Sequence, residues 1–339
     1  MHGGVTTGRP TAPTLEAVAR EANVSRATVS RVVNGSPKVR PEAVEAVNAA
    51  IAKLNYVPNR AARSLASRTS GAIALIVPED TARFFGDPYF AAIVQGITRR
   101  LDESDYLLNL LVASSDPGHK TMRYLRSGVV DGALVVSHHE GDDLLDTDVA
   151  LPMVFGGRPS HAGDHIYVDV DNVAGGRLAT QHLIDLGRSH IGTISGPLDM
   201  PAGVDRLAGY QEAMRAAGLP DDAVETADFT MTGAVEATRR LLDRRPELDA
   251  VFVASDLMAA GALATLRERG LTVPDDVALV GFDDSPAATA SPVPLTTVHQ
   301  PSEQMGFEMA DLLLRRLHGD DTVSRRNIMP TSLVRRASA

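Results

Sequence analysis

TLEAVAREANVSRATVSRVVNG, residues Thr14 to Gly35, holds two short apolar stripes with a three-residue break between them. Leu15, Val18, Ala19 and Ala22 recur at i, i+3, i+4 and i+7, so they share one face of a helix, and Thr14 stands where an N-cap belongs. Ala22-Asn23-Val24 interrupts the pattern. Ser25 can cap a second helix that buries Val29, Val32 and Val33 and stops at Asn34-Gly35. Two short helices and a tight turn predict a helix-turn-helix. A third helix is predicted from Pro41, a residue suited to the first helical position, with Val44, Val47, Ile51 and Leu54 closing a small three-helix core.

If the three valines of the second helix point inward, Arg26, Ala27, Ser30 and Arg31 point outward. The N-terminal part of such a helix is what enters a DNA major groove. Arginine can bond guanine O6 and N7 together, and Ala27 can offer a methyl contact, whereas Ser25 and Thr28 suit phosphates. Charge agrees with this reading. Residues 1–70 carry ten Arg and Lys against four Glu, a net +6, and the rest of the chain carries 23 basic and 39 acidic residues, a net −16. A basic head on an acidic body suits a DNA-binding module joined to a regulatory domain. Residues 1–13, rich in Gly, Pro and Thr, read as a disordered tail.

After the third helix comes NYVPNRAARSLA, residues 55–66, which has helix formers but too few of them to be helical alone in water. Leu65 is the apolar residue on this basic segment. It suits a wedge that unstacks a base step from the minor groove, or else a contact with the following domain.

From Gly71 onward short apolar runs alternate with amphipathic stretches. Strands are predicted at 72–77, 107–112, 132–136, 153–155, 166–170, 191–195, 250–254 and 277–282. Apolar strands alternating with helices indicate parallel sheets covered on both faces, and a composition break near 156–168 suggests two α/β lobes. Ligands in such folds sit beyond the carboxyl ends of strands, which singles out Asp87, Tyr89, Ser137, His138, Arg206, Asp256 and Asp283, with Gln300 on a return between lobes.

The chain has no cysteine, which excludes disulfides, thiolate metal sites and a cysteine nucleophile. No apolar run approaches the ~20 residues of a membrane span and no signal peptide is evident, so a cytoplasmic protein is expected. The phosphate-loop, dinucleotide, nucleophile-elbow and zinc-helix motifs are all missing, which argues against an enzyme and against any cofactor. His138-His139 and His161/His165 lack a third partner placed by sequence, so no metal site is expected.

The segments Thr14–Ala19, Val24-Ser25, Thr28–Gly35 and Leu54–Leu65 together resemble the head and hinge of LacI/GalR repressors. The likeness runs along the whole chain from Thr14. It implies a helix-turn-helix head over 14–58, a hinge helix and linker over 59–70, and a two-lobed periplasmic-binding-protein-like α/β body over 71–339. The N-terminal lobe would hold about 71–167 and 300–328, and the C-terminal lobe about 168–299 and 329–339. Such repressors bind palindromic double-stranded operators as homodimers, and paired hinge helices insert a leucine at the central step. On that basis Arg26, Ala27 and Arg31 read bases, Ser25, Thr28, Ser30, Asn34, Asn59 and Arg60 hold the DNA backbone, and Leu65 is the lever.

The same resemblance places Phe85, Asp87, Tyr89, Ser137, Arg206, Asp256, Asp283 and Gln300 around a small-molecule effector, with Phe85 or Tyr89 covering an apolar sugar face. FGGRP (155–159), VDVDN (168–172) and GPLDMPAGVDRLAGY (196–210) are similar to the cellobiose- or oligosaccharide-responsive branch. A sugar would then release the operator, whereas a purine-type corepressor would strengthen DNA binding. Two positions depart from the family pattern. Asn23 replaces the usual turn glycine, and Arg40 stands where the third helix usually has a Ser or Thr cap. Nothing beyond residue 330 has the heptads of a coiled coil, so a dimer is the expected assembly.

Overall fold

A computed structural model describes residues 13–33, 36, 38–56, 69–114, 119–141, 151–160 and 163–339. The tail up to residue 12, Asn34, Asn59, Arg60, His161 and the hinge with Leu65 lie outside the described residues. Contacts divide the chain into Met1–Ser70 and Gly71–Ala339.

The first unit contains α1 (Leu15–Glu21), α2 (Arg26–Val33) and α3 (Pro41–Leu54). Thr14 caps α1, its hydroxyl accepting from the Ala17 N–H at 3.3 Å, and Asn23 adopts φ 52° in the turn. That left-handed conformation costs asparagine less than most residues, so the turn forms without glycine. Val18, Val29 and Val47, one from each helix, are fully buried together, with Ala19, Ala50 and Tyr56 beside them. Val32, Val33, Ile51 and Leu54 complete this core as half-buried residues. Arg40 precedes Pro41 with no side-chain cap bond, so α3 starts on the proline's fixed φ alone.

The second unit holds two six-stranded sheets. The first has β1 (Ala72–Val77), β2 (Leu107–Val112), β3 (Gly132–Val136), β4 (Met153–Gly156), β5 (Ile166–Val170) and β11 (Arg326–Met329). Their order is β2-β1-β3-β4-β5-β11 and every pairing is parallel. The second runs β7-β6-β8-β9-β10-β12 from β6 (Ile191–Ser195), β7 (Val224–Thr226), β8 (Ala250–Val253), β9 (Ala278–Asp283), β10 (Thr296–His299) and β12 (Ser332–Val334). Only β12 in it is antiparallel. All six residues of β1 and all of β3, β6 and β8 are buried, as strands covered on both faces must be.

The expected lobe boundary at 167/168 needs correction. β5 stays in the first sheet through Val170, whose partner there is Met329, so the first crossing falls after Val170 and the last after Met329. A strand cannot leave a sheet midway through its ladder without orphaning backbone groups. The second crossing lies near Gln300, before α12 (Ser302–Leu317).

Around the sheets lie α4 (Thr81–Gly86), α5 (Pro88–Leu101), α6 (Lys120–Arg126), α7 (Asn172–Asp185), α8 (Pro201–Ala216), α9 (Met231–Arg244), α10 (Asp256–Glu268) and α11 (Pro286–Ala290). Each lobe contains a very close helix pair made possible by glycine. A Cβ on Gly96 of α5 would meet the Glu303 carbonyl of α12 at 1.8 Å, and one on Gly176 of α7 would meet the Arg206 carbonyl of α8 at 2.3 Å. The second pair matters for the site, because it presses α8 against the first residues of α7. Among the described residues no helix is long and apolar enough to cross a membrane.

Candidate functional site

On α2, Ala27 and Arg31 are exposed and Arg26 points into solvent, its guanidinium 3.1 Å from Glu16. The Ser25 and Thr28 hydroxyls lie 2.9 Å apart, and Ser25 Oγ also accepts from the Thr28 N–H, so Ser25 caps α2. The helix therefore presents an outward face bearing Arg26, Ala27 and Arg31, with small hydroxyls at its N-terminal end. A surface of this kind offers arginine forks and backbone donors to a duplex.

In the second unit the carboxyl ends of the strands meet around a cleft between the lobes. It is lined, among others, by Arg83, Asp87, Tyr89, Ser137, His138, Arg158, Asp169, Asn172, Arg206, Phe229, Asp283 and Gln300. The atom-free space amounts to about 640 Å³, including the part open to solvent. That is within the ~300–1,000 Å³ usual for small-ligand clefts.

Arg206 is the centre of this arrangement. Its Nε donates to Asn172 Oδ1 at 2.9 Å, Nη1 to the Ala254 carbonyl at 2.6 Å and Nη2 to Gln300 Oε1 at 3.0 Å. The guanidinium lies over the Phe282 ring, 3.6 Å from its centroid. Asp283 Oδ1 is 3.6 Å away. Burial lowers the Arg206 pKa and Asp283 and Asp169 oppose that, while burial raises Asp283 well above the usual carboxylate range despite Arg206. An arginine stays charged under such a load, which is why it can serve as a fixed donor in a dry site.

The other polar groups are held as firmly. Asp87 caps α5 by accepting from the Tyr89 N–H at 3.0 Å, and burial raises its pKa. Burial also raises Tyr89. Asp169 accepts from the backbone of Arg158 and Val170 and from Asn172 Nδ2, and burial raises it too. Glu79 Oε1 accepts from Arg83 at 2.5 Å, Ser137 Oγ at 2.6 Å and His139 Nε2 at 3.1 Å. His138 is pushed down to about 4 by burial and stays neutral; its Nε2 lies 3.1 Å from the Arg158 carbonyl. A carbonyl can only accept, so that nitrogen carries the ring proton.

The structure thus brings together Asp87, Tyr89, Ser137, Arg206, Asp283 and Gln300 as expected site residues, and corrects two others. Phe85 is 78% exposed on α4 and does not line the cleft. Asp256 is fully buried behind it, accepting from Thr297 Oγ1 at 2.6 Å and the Ser285 N–H at 2.7 Å, with burial raising its carboxyl to about 6. Nor does it cap α10, because Ser255 does that. Asp256 braces β10 and the loop after β9. Its Oδ1 would lie 2.3 Å from a Cβ on Gly281, so only glycine fits there.

The aromatic wall is Phe229, together with Tyr89. Phe229 sits at φ 60° in the loop after β7, its ring packed so closely on Gly196 that a Cβ there would meet it at 2.1 Å. Arg83 lies over the same ring at 5.4 Å. Phe229 and Arg83 had no signal among the strand-end residues, whereas Arg158, Asp169 and Asn172 fall within the segments that resemble the cellobiose-responsive branch. No group of His, Asp and Glu among the described residues could hold a metal ion.

Comparison with known proteins bears on both units. Residues 14–59 match the family described as bacterial regulatory proteins, lacI family, and residues 180–339 match a periplasmic binding protein-like domain. The HTH-type transcriptional regulator CelR of Thermobifida fusca is 48% identical over 334 residues, 96% of this chain and 98% of that protein. A solved CelR–cellobiose complex superposes with a TM-score of 0.77 at 46% identity, covering 96% of this chain and 100% of the other. The lac repressor dimer bound to operator and an anti-inducer superposes at 0.84 with 29% identity, covering 97% and 99%.

Proposed function

Because the chain belongs to the lacI family of bacterial regulatory proteins, we propose that it is a cytoplasmic repressor whose homodimer leaves a palindromic operator on binding a sugar. It is a DNA-binding transcription regulator of that family. Arg26, Ala27 and Arg31 of α2 read base edges in the major groove, Ser25, Thr28 and Ser30 hold phosphates, and the body carries the effector. The sugar is cellobiose or a related oligosaccharide, the ligand of the similar CelR complex. The chain binds this ligand without transforming it.

The observation that carries the ligand class is the charge balance of the cleft. Arg83, Arg158 and Arg206 each lie beside a carboxylate of the chain itself: Glu79 at 2.5 Å, Asp205 at 2.9 Å and Asp283 at 3.6 Å. A neutral, polyhydroxylated guest can bond to the cleft-facing groups and leave each of these pairs compensated, whereas an anion or cation would upset them. Arg206 has five N–H groups and its three fixed bonds leave one on each terminal nitrogen for ligand hydroxyls. Asp87 and Asp283 accept from other hydroxyls, and Phe229 with Tyr89 offers the apolar face that a pyranose ring needs.

Release follows if the ligand binds the closed arrangement of lobes better than the open one, since a ligand moves an equilibrium only by its differential affinity. The test is fluorescence anisotropy of the full chain on a palindromic operator from its own upstream region. At fixed salt it is titrated with cellobiose, longer oligosaccharides, monosaccharides and purines. The expected result is a loss of operator affinity with cellobiose or a close relative. If only purines act, or if they raise affinity, the sugar reading is wrong.

A further inference from the structure

Among the described residues, polar contacts between the two lobes across the cleft mouth converge on one segment of the C-terminal lobe, Asp199 to Arg206 at the start of α8. From the loop after β3, His139 Nδ1 lies 2.9 Å from Asp199 Oδ2, and the Glu140 N–H donates to the Asp199 carbonyl at 2.7 Å. From the loop after β4, Arg158 Nη2 donates to Asp205 at 2.9 and 3.0 Å, one bond to each carboxylate oxygen. From α4, Arg83 Nη2 reaches Met200 Sδ at 4.0 Å.

Neither Asp199 nor Asp205 lines the cleft, and neither does His139. Yet Asp205 is the residue before Arg206. The same helical turn therefore faces two ways, Arg206 inward to Asn172, Ala254 and Gln300, and Asp205 across the mouth to Arg158. We propose that Asp199 and Asp205 are positioning residues for the effector: they latch the N-terminal lobe onto the start of α8, hold the cleft shut, and so seat Arg206 against a ligand neither of them touches. The inference rests on the reading of the cleft as the effector site.

Both ends of the latch are anchored behind. His139 is braced from its own lobe by Glu79, which Arg83 and Ser137 also hold. The backbone N–H of Arg158 is fixed by Asp169. The acidic ends are less enclosed: Asp199 is 54% exposed and Asp205 is 21% exposed. A latch of partly exposed charges is weakened by salt, while an uncharged sugar has no salt dependence of its own. Any salt dependence of sugar affinity then reports on the protein's internal pairs.

The experiment uses the full chain, its Asp199→Asn and Asp205→Asn forms and the double variant, with unfolding midpoints checked first. Cellobiose binding is followed by calorimetry and by stopped flow at several salt concentrations. Each single variant should bind about two- to fivefold more weakly, chiefly through faster dissociation, as expected when partly exposed charge pairs are lost. In the wild type, affinity should fall with added salt, and the double variant should have lost that slope. Asp205→Glu should restore part of the affinity, which a purely steric role would not.

A ligand-free arm separates this inference from the sugar assignment. The chain lacks cysteine, so Arg126→Cys and Glu212→Cys, exposed positions on the two lobes, give one pair of spin labels per subunit, and mixing with an excess of unlabelled chain leaves a single labelled subunit in each dimer. Their distance distribution should be narrow in the parent and broad in the double variant. If cellobiose does not bind the wild type at all, the sugar reading fails, and the label distances alone decide the latch. Unchanged distances overturn it, as do unchanged affinity and dissociation rate in both variants.

Discussion

Two arginines of this chain sit at opposite extremes of solvation. Arg26 on α2 has a side chain 74% exposed, with Glu16 beside it in water. Arg206 on α8 is 5% exposed and is held by three acceptors and an aromatic face. The first keeps its rotamer freedom and its hydration until a phosphate or base edge takes their place. The second has already given up both, so its ordering cost is met in folding rather than on binding. A surface that must find one site among many on DNA gains from long-range charge and can remain soft. If the cleft takes an uncharged sugar, as proposed, telling one sugar from another needs fixed donors.

The contrast breaks if the two arginines respond alike to deletion. Arg206→Ala should abolish cellobiose binding, a loss of more than about a hundredfold. It should also lower stability by about 3 kcal/mol or more, because Asp283, Gln300 and the Ala254 carbonyl lose their shared partner in a dry site. Arg206→Lys keeps the charge but not the fork, and should remain better folded while still failing to bind; calorimetry and thermal unfolding check both. Arg26→Ala should leave the unfolding midpoint where it is and weaken the operator by about 1–3 kcal/mol, most strongly at the base pair it reads. A smaller effect belongs to Gly176→Ala. Its Cβ would press on the Arg206 carbonyl at 2.3 Å, so α8 must shift, at about 1–3 kcal/mol of stability and with a several-fold loss of sugar affinity. Operator binding without sugar should not change.

How legible each region was in the sequence follows the same division. The head is local: a cap, a stripe and a turn all lie within a few residues of one another, so the period of Leu15, Val18 and Ala22 and the position of Thr14 suffice to place α1. The long apolar strands were legible for the same reason. The cleft is assembled from the ends of nine strands spread over more than two hundred residues, and periodicity indicates which loops converge without indicating which side chain turns inward. β7 has only three residues and gives no apolar run, so the loop after it, with Phe229, had no reason to be inspected. Phe85 and Asp87 lie two apart, yet one points into solvent and the other caps α5. Local pattern cannot distinguish them, because the difference is set by how α4 meets the sheet. Asp256 was recognised as a strand-end acid, but its proximity to Thr297 depends on a pairing of β9 with β10 across the sheet.

The smallest effect concerns pH, and it tests the contrast from the other side. Among the described residues of the head there is no histidine. The cleft mouth has His139, raised to about 9, first by its bond to Glu79 and then by its bond to Asp199. Among the described residues, His138, which is neutral, and Arg83, which shares Glu79, also lie near it. A group raised in the closed state contributes fully below its ordinary value of 6.5, and that contribution is lost as pH rises through about 9. Glu79 belongs to the same lobe as His139, so opening the lobes removes only the Asp199 share and the loss is confined to the upper part of that window. Cellobiose affinity should therefore be flat near neutrality and fall a few-fold toward pH 9.5 at constant ionic strength, about what one partly exposed ion pair contributes. In Asp199→Asn the fall should be absent, and operator affinity of the sugar-free protein should hold across the same range. A pH dependence that survives in Asp199→Asn would place the titrating group elsewhere, and one that appears equally in operator binding would remove the distinction between a soft reading head and a fixed cleft.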